Sequence, residues 1–170
     1  MKQKNFPLYN ARYRFAHLLT LLAPKIVKLT LSKAKWRYSI QDYRNFPVGT
    51  VAREIANYLD LKKLHFLPKG EKHDVRHIVL GYEMNVEGEV RMQAFLIGNG
   101  KLHPYGIVYL GFFLALLPEL IVPCLGDFLR GRQATSLNNL SEIALLGMHL
   151  DEVKKLFSIK ETLEVKVQLY

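Results

Sequence analysis

Four side chains in this sequence have the types and the spacing to share one cation: His73, Asp74, His77 and Glu89. On an α-helix, residues four apart differ by about 40° in azimuth and about 6 Å in rise, so His73 and His77 point the same way. The same spacing makes His-Glu-x-x-His a zinc motif. Asp74 lies about 100° further round, at the edge of that face. It is either a further ligand or the group that orients a histidine ring by accepting its second N–H. Glu89 stands twelve residues after His77, which along an unbroken helix is about 18 Å and out of reach. The chain must therefore reverse between them, and Gly81 to Asn85 is where it can. Two imidazoles with one or two carboxylates suit zinc, iron, manganese or cobalt. No thiolate belongs to the set, which argues against a structural zinc site, and fewer than four strong ligands leave positions for water or substrate. The competing reading of the same residues is a solvated, salt-bridged helix start, with Asp74 placed by the helix dipole.

The elements that must position these groups read as helices. Residues 71–80 carry Val75, Ile78 and Val79 at helical spacing. Asn85 is an N-cap for a helix running to about Ile97, and Gly98-Asn-Gly100 ends it. Upstream, Val51, Ile55 and Leu59 mark a helix over 48–60 after a polar, aromatic stretch from Lys35 to Pro47. Downstream, short helices are expected over 138–146 and 150–158. The alternating tail 163–169 reads as a short strand or a frayed end. A chain of 170 residues, 49% apolar and 23% charged, is one globular domain. That balance excludes disorder, collagen and a disulfide scaffold, and Cys124 has no partner for an intrachain bridge. The expected fold is all-α: a single-domain helical bundle with a metal-binding helical hairpin and an apolar helix pair.

Charge is unevenly spread. The net charge is +9, and residues 1–41 hold nine Lys/Arg and no acid, while 42–170 hold fifteen of each. Residues 8–34 read as an amphipathic helix with Phe15, Leu18, Leu19, Leu22, Ile26 and Leu29 on one stripe and a break at Pro24. No signal-peptide pattern is found in it. Such a basic, amphipathic arm suits an anionic membrane surface. Motifs for nucleic acid are absent. The most apolar stretch, Leu102 to Gly126, has Glu119 as its one formal charge and is broken by Pro118 and Pro123. It can be a transmembrane segment, a buried helix pair, or the wall of a lipid site or a membrane-dipping surface. Leu110, Phe113, Leu114 and Leu117 are the candidate lipid contacts. Arg76, beside the ligand pair, is either a partner for a substrate carboxylate or an exposed residue on the far face.

His73-Asp74-x-x-His77, eleven residues and then Glu89 resembles the signature of the coenzyme Q biosynthesis family called Coq-four. The surrounding "HDVRHIVLGYEMNVEGEVRMQAF" keeps the Gly81-Tyr82 turn and the Gly88-Glu89 pair in register, and "GRQATSLNNL…LDEVKKLFSI" is similar to the family's C-terminal end. The resemblance covers residues 45–159 and is strong over 73–95, as for a divergent member. It divides the chain into a basic N-terminal region (1–41), a helical domain (42–159) and a tail (160–170). It implies a divalent ion, zinc first, held by His73, Asp74, His77 and Glu89. It further implies a polyprenylated aromatic acid as substrate, with ring decarboxylation coupled to hydroxylation, or a prenyl-lipid-binding scaffold role in a biosynthetic complex. It also implies a homodimer peripheral to a membrane, at the cytoplasmic face in a bacterium or at the mitochondrial inner membrane in a eukaryote. A soluble zinc hydrolase is disfavoured, because Asp74 stands where zinc peptidases place a longer Glu.

Overall fold

The computed structural model describes residues 10–20, 38–65, 71–137 and 141–161. Within them the chain is helical: α1 (residues 10–20), α2 (Ile40–Asn45), α3 (Val51–Lys62), α4 (Glu71–Leu80), α5 (Val86–Gly98), α6 (Pro104–Leu116), α7 (Ile121–Gln133) and α8 (Leu150–Leu156). Short 3-10 turns at Pro118–Leu120 and Glu142–Leu145 complete the path. The short helix expected over 138–146 is, in its described part, this second 3-10 turn. Breaks beyond residue 20 in the basic arm, and the alternating tail, lie outside the described residues.

α2 arises from a signal inside the polar, aromatic stretch from Lys35 to Pro47. Ser39 accepts from the Asp42 amide and the Asp42 carboxylate accepts from the Ser39 amide, a reciprocal capping box. α3 starts at Val51, three residues later than its apolar spacing suggests, because Thr50 caps it through the Arg53 amide. The amides of Val51 and Ala52 donate to the carbonyls of Met148 and Leu146, so the approach to α8 closes the start of α3.

α5 is the central helix, and it serves two cores. Met92, Phe95 and Leu96 face a cluster built with α2, α3, α4 and α8 around Tyr43, Ile55 and Val79. Val86, Val90 and Ala94 face a second cluster with Ala16 of α1, Phe113 and Leu117 beside α6, and Cys124 of α7. α5 and α7 meet backbone to backbone. A Cβ on Gly98 would lie 2.1 Å from the Phe128 carbonyl oxygen, and one on Gly131 would lie 2.1 Å from that of Phe95. Asn99 locks the crossing: its amide donates to the Gly131 carbonyl at 3.0 Å and its oxygen accepts from the Leu137 amide at 2.8 Å.

The stretch from Leu102 to Gly126 is a bent pair of helical segments, neither one straight helix nor a buried pair. Among the described residues no single helix is long and apolar enough to cross a membrane, and α6 meets the following helical segment at 116°. The buried-pair reading is corrected by exposure. Tyr105, Val108, Val122 and Leu125 are each at least 60% exposed, and Ile107, Phe112 and Leu129 about half. Phe113 and Leu117 are buried instead, with Leu110 and Leu114 packed against them, so the four expected lipid contacts face the second core rather than the open surface. On α1 the relation is similar. Ala16 is buried with Tyr13 and Leu19 beside it, whereas Phe15 and Leu18 of the expected apolar stripe are half exposed. Arg12 donates to the Leu116 carbonyl and pairs with Glu119, fastening α1 along α6.

Candidate metal centre

The reversal between α4 and α5 occurs where the sequence requires it, and several residues make it tight. α4 ends at Leu80, and Gly81 takes a left-handed φ of +76°, so its amide and that of Tyr82 both donate to the His77 carbonyl at 2.9 Å. Asn85 accepts from the Gly88 amide and caps α5. A side chain at Gly88 would meet the Glu83 carbonyl oxygen at 1.9 Å, so the turn can lie against α5 only over a glycine. Tyr58 of α3 braces the same turn. Its hydroxyl donates to Glu83 at 2.7 Å and accepts from the Met84 amide at 2.9 Å. Burial first, and then the Glu83 hydrogen bond, push the Tyr58 phenol up to about 12.

This hairpin brings Glu89, in the first turn of α5, against the histidine face of α4. The Glu89 carboxylate lies 3.1 Å from His73 Nε2 and 3.0 Å from His77 Nε2. The two imidazole rings stand 4.5 Å apart between centroids. One ligand atom from each of the three residues can be chosen so that all lie within 4.8 Å of one another. Donor atoms around a tetrahedral zinc ion, with bonds of about 2.0–2.2 Å, lie about 3.3 Å apart, so the spacing suits an ion of that size.

The far side of each ring supports the same use. His77 Nδ1 faces the Tyr82 carbonyl at 3.1 Å, and His73 Nδ1 faces the Asp74 carboxylate at 3.8 Å, a charge contact longer than a hydrogen bond. A ring that donates through Nδ1 to such an acceptor presents the Nε2 lone pair to the other side. His77 lies between a carbonyl and a carboxylate; with Nδ1 donating to the carbonyl, the Nε2 lone pair of a neutral ring faces Glu89, where a cation fits between them. The residues therefore fit a divalent ion. The structure brings together His73, His77 and Glu89 and sets Asp74 behind His73, in the orienting place of its two sequence readings. Arg76 is half-buried rather than exposed on a far face.

Electrostatics couple the three groups. Burial would raise the Glu89 carboxyl, but hydrogen bonds to His73 and His77 and their charges outweigh it and hold it down at about 2. Burial would lower His73, but the hydrogen bond to Glu89 and the charges of Asp74 and Glu89 lift it to about 10. His77 is fully buried while the His73 side chain is 46% exposed, so the cluster opens to solvent on the His73 side. Tyr109 of α6 lies within electrostatic reach of Glu89, whose charge adds to burial in raising the phenol. The apolar pair and the polar cluster are thus neighbours.

Sequence reading missed three groups that act on the cluster: Tyr58 of α3, Arg130 of α7, whose Nη2 donates to the Leu80 carbonyl, and the Tyr82 carbonyl of the turn itself. The first two are single residues on distant helices, and a backbone carbonyl has no sequence signature.

No protein-family model matches this chain, and no curated protein matches it significantly. Its fold is similar to the crystal structure of a protein from Nostoc punctiforme provisionally assigned to ubiquinone biosynthesis. The TM-score is 0.61, with 16% identity over 93% of this chain and 78% of that one. The likeness is one of fold.

Proposed function

We propose that this chain is a divalent-metal protein of ubiquinone-like biosynthesis. Its substrate would be a polyprenylated aromatic acid, decarboxylated on the ring with coupled hydroxylation. The observation that carries the reading is the convergence of His73, His77 and Glu89 from two helices, with an acceptor behind each histidine. The similar fold of a protein provisionally assigned to ubiquinone biosynthesis supports the pathway class.

His73 and His77 would hold the ion through Nε2 and Glu89 through its carboxylate, with Asp74 orienting His73. A bound divalent ion, zinc first and iron, manganese or cobalt next, supplies Lewis acidity toward a carboxylate or phenolate oxygen. The burial of His77 and Glu89 keeps water from two sides and so strengthens charge interactions there. The half-exposed His73 leaves an approach for substrate. Replacing a ring carboxylate by hydroxyl releases carbon dioxide and removes two electrons, so an oxidant from outside the chain is required.

The membrane role rests on the outer face of α6 and α7. Contiguous exposed apolar surface on a soluble protein marks an interaction site. Tyr105, Val108, Val122 and Leu125 fit an acyl-chain boundary, with the exposed Arg14 of α1 drawing the chain to anionic headgroups. Peripheral attachment and a homodimer are part of this proposal. The exposed face also favours a second reading, a non-catalytic prenyl-lipid-binding scaffold.

Metal analysis of purified wild type, His73→Ala and Glu89→Ala tests the first reading. Stoichiometric metal in the wild type that both variants lose supports it, and a metal-free wild type overturns it. Co-purified prenyl lipid that survives both substitutions, with no turnover of a prenylated benzoate, selects the scaffold. Flotation with anionic vesicles, lost in a Val108→Glu/Leu125→Glu variant, tests the membrane face.

A further inference from the structure

The turn that holds His77 is itself held from a helix far away in sequence. Arg130 of α7 is almost wholly buried. Its Nη2 donates to the Leu80 carbonyl at 2.8 Å, fifty residues back, and its Nη1 donates to the Lys160 carbonyl at 3.1 Å. Leu80 is the last residue of α4, so the guanidinium sits at the negative end of that helix, where a cation is favoured. The same guanidinium lies 4.7 Å from the centroid of the Tyr82 ring and 4.9 Å from that of Phe95. Arg130 therefore holds both sides of Gly81: a hydrogen bond to the residue before it and a ring contact with the residue after it.

What lies between those two grips is the seat of His77. The Tyr82 amide donates to the His77 carbonyl, and the Tyr82 carbonyl faces His77 Nδ1 at 3.1 Å. One residue thus takes hold of His77 by backbone and by ring. If Tyr82 turns, the acceptor that keeps Nε2 aimed at Glu89 turns with it. Asp127, buried beside Arg130 at 4.0 Å from its Nε, accepts from Arg91 Nε at 2.7 Å, and so ties the clamp to α5, the helix that carries Glu89. A lysine could supply charge to one carbonyl but not a planar fork and a stacked face together.

We infer that Arg130 is a positioning residue: by clamping the Leu80–Tyr82 turn it fixes the ring of His77 for metal binding. This rests on the metal reading above, and the experiment separates the two. The full chain is prepared as wild type, Arg130→Leu, Arg130→Lys, Tyr82→Leu and, as a control in the other core, Phe113→Ala. Two quantities are read: the His77 Nδ1–H proton signal in chelator-treated protein by NMR, and zinc affinity by competition with a chelator. All are measured at a temperature where each variant is folded.

In the wild type the buried His77 Nδ1–H signal is expected to be sharp and slow to exchange. Arg130→Leu is expected to broaden or abolish it and to weaken zinc binding by about 10–100-fold, the effect usual for an outer group behind a ligand. Arg130→Lys and Tyr82→Leu, each removing part of the clamp, should fall between. Phe113→Ala should change neither quantity. A folded Arg130→Leu with the wild-type signal and zinc affinity within twofold overturns the inference; should Arg130→Leu not fold, the same comparison on Tyr82→Leu decides. A wild type that binds no zinc overturns the metal reading instead, and the Nδ1–H signal alone then decides whether the clamp exists.

Discussion

The α4–α5 hairpin and the α6–α7 pair are of similar length and lie side by side, yet they treat their side chains in opposite ways. In the hairpin the polar groups at the turn are held by named partners. Asn85 holds the Gly88 amide, Tyr58 holds Glu83 and the Met84 amide, and the Tyr82 carbonyl faces His77. Positions there are fixed to the precision a ligand set needs. In the bent pair the apolar groups are the unmet ones, with Val108 at 71% exposure and Val122 and Leu125 at 60%. One region spends its sequence on geometry and the other on surface. On the proposal above, the hairpin, braced by Tyr58 and Arg130, would take an ion, and the bent pair would meet something apolar outside it.

The largest effect that can sharpen this contrast comes from two neighbours on α6. Phe113 is 4% exposed in the second core and Phe112 is 49% exposed on the outer face. Phe113→Ala should cost about 3–5 kcal/mol of stability. Phe112→Ala should cost about 1 kcal/mol, mostly from its edge contact with the Phe113 ring. Denaturant melts of the two variants measure this. Equal losses would mean that the outer face is buried in solution and that the comparison is misdrawn.

Next in size is the removal of a ligand from the hairpin. Glu89→Ala should weaken zinc binding by more than about 100-fold, beyond what loss of an outer group alone costs. The same substitution should leave vesicle binding intact, since the outer face is untouched. Competition titrations and flotation on one preparation read both. Loss of both together would show that the two regions do not act separately.

The contrast also explains what the sequence could disclose. The hairpin is written in short-range signals: His73 and His77 four apart, Gly81 to reverse the chain, Asn85 to cap, Gly88 to let the turn close. Each acts within a few residues, so α4 and α5 could be placed almost to the residue. The capping box of Ser39 and Asp42 was of the same local kind and was readable, but the aromatic stretch around it masked α2. α6 is different because it is apolar on every side. Periodicity then has no polar stripe to set against the apolar one, and nothing local says whether Phe112 or Phe113 turns inward. The inward side is decided by Val86 and Val90 of α5 and Ala16 of α1, tens of residues away. Arg130 and Tyr58 were hidden for the same reason, since their partners are fifty and about twenty-five residues distant.

Two glycines carry the comparison to a smaller scale. Gly88→Ala must displace the Glu83 carbonyl, which a Cβ would approach to 1.9 Å. A loss of about 1–3 kcal/mol is expected, with weaker zinc binding because Glu89 is the next residue. Gly111, inside α6, has nothing within 4 Å of where its Cβ would be. Gly111→Ala should raise stability by about 0.5–1 kcal/mol through helix propensity. Thermal melts of the pair decide, and a destabilising Gly111→Ala would place an unseen neighbour on the outer face.

The smallest effect is a pH profile confined to the hairpin. In metal-free protein the folded state raises His73 from 6.5 to about 10 and lowers Glu89 from 4.5 to about 2. A raised histidine adds stability that is whole below pH 6.5 and is lost as the pH climbs through 10. A depressed carboxylate adds stability that is whole above pH 4.5 and is lost as the pH falls through 2. Chelator-treated wild type should therefore exceed a His73→Gln variant most between pH 4.5 and 6.5. The gap should be a few degrees at most, because the half-exposed His73 is partly screened by solvent. Zinc reverses the alkaline side: protons compete with the ion, so its affinity should rise over the same interval in which the metal-free pair loses its contribution. Val108→Ser, on the outer face, should leave both curves unchanged. A difference curve that is flat with pH would uncouple His73 from Glu89 and leave His77 as the carboxylate's sole partner.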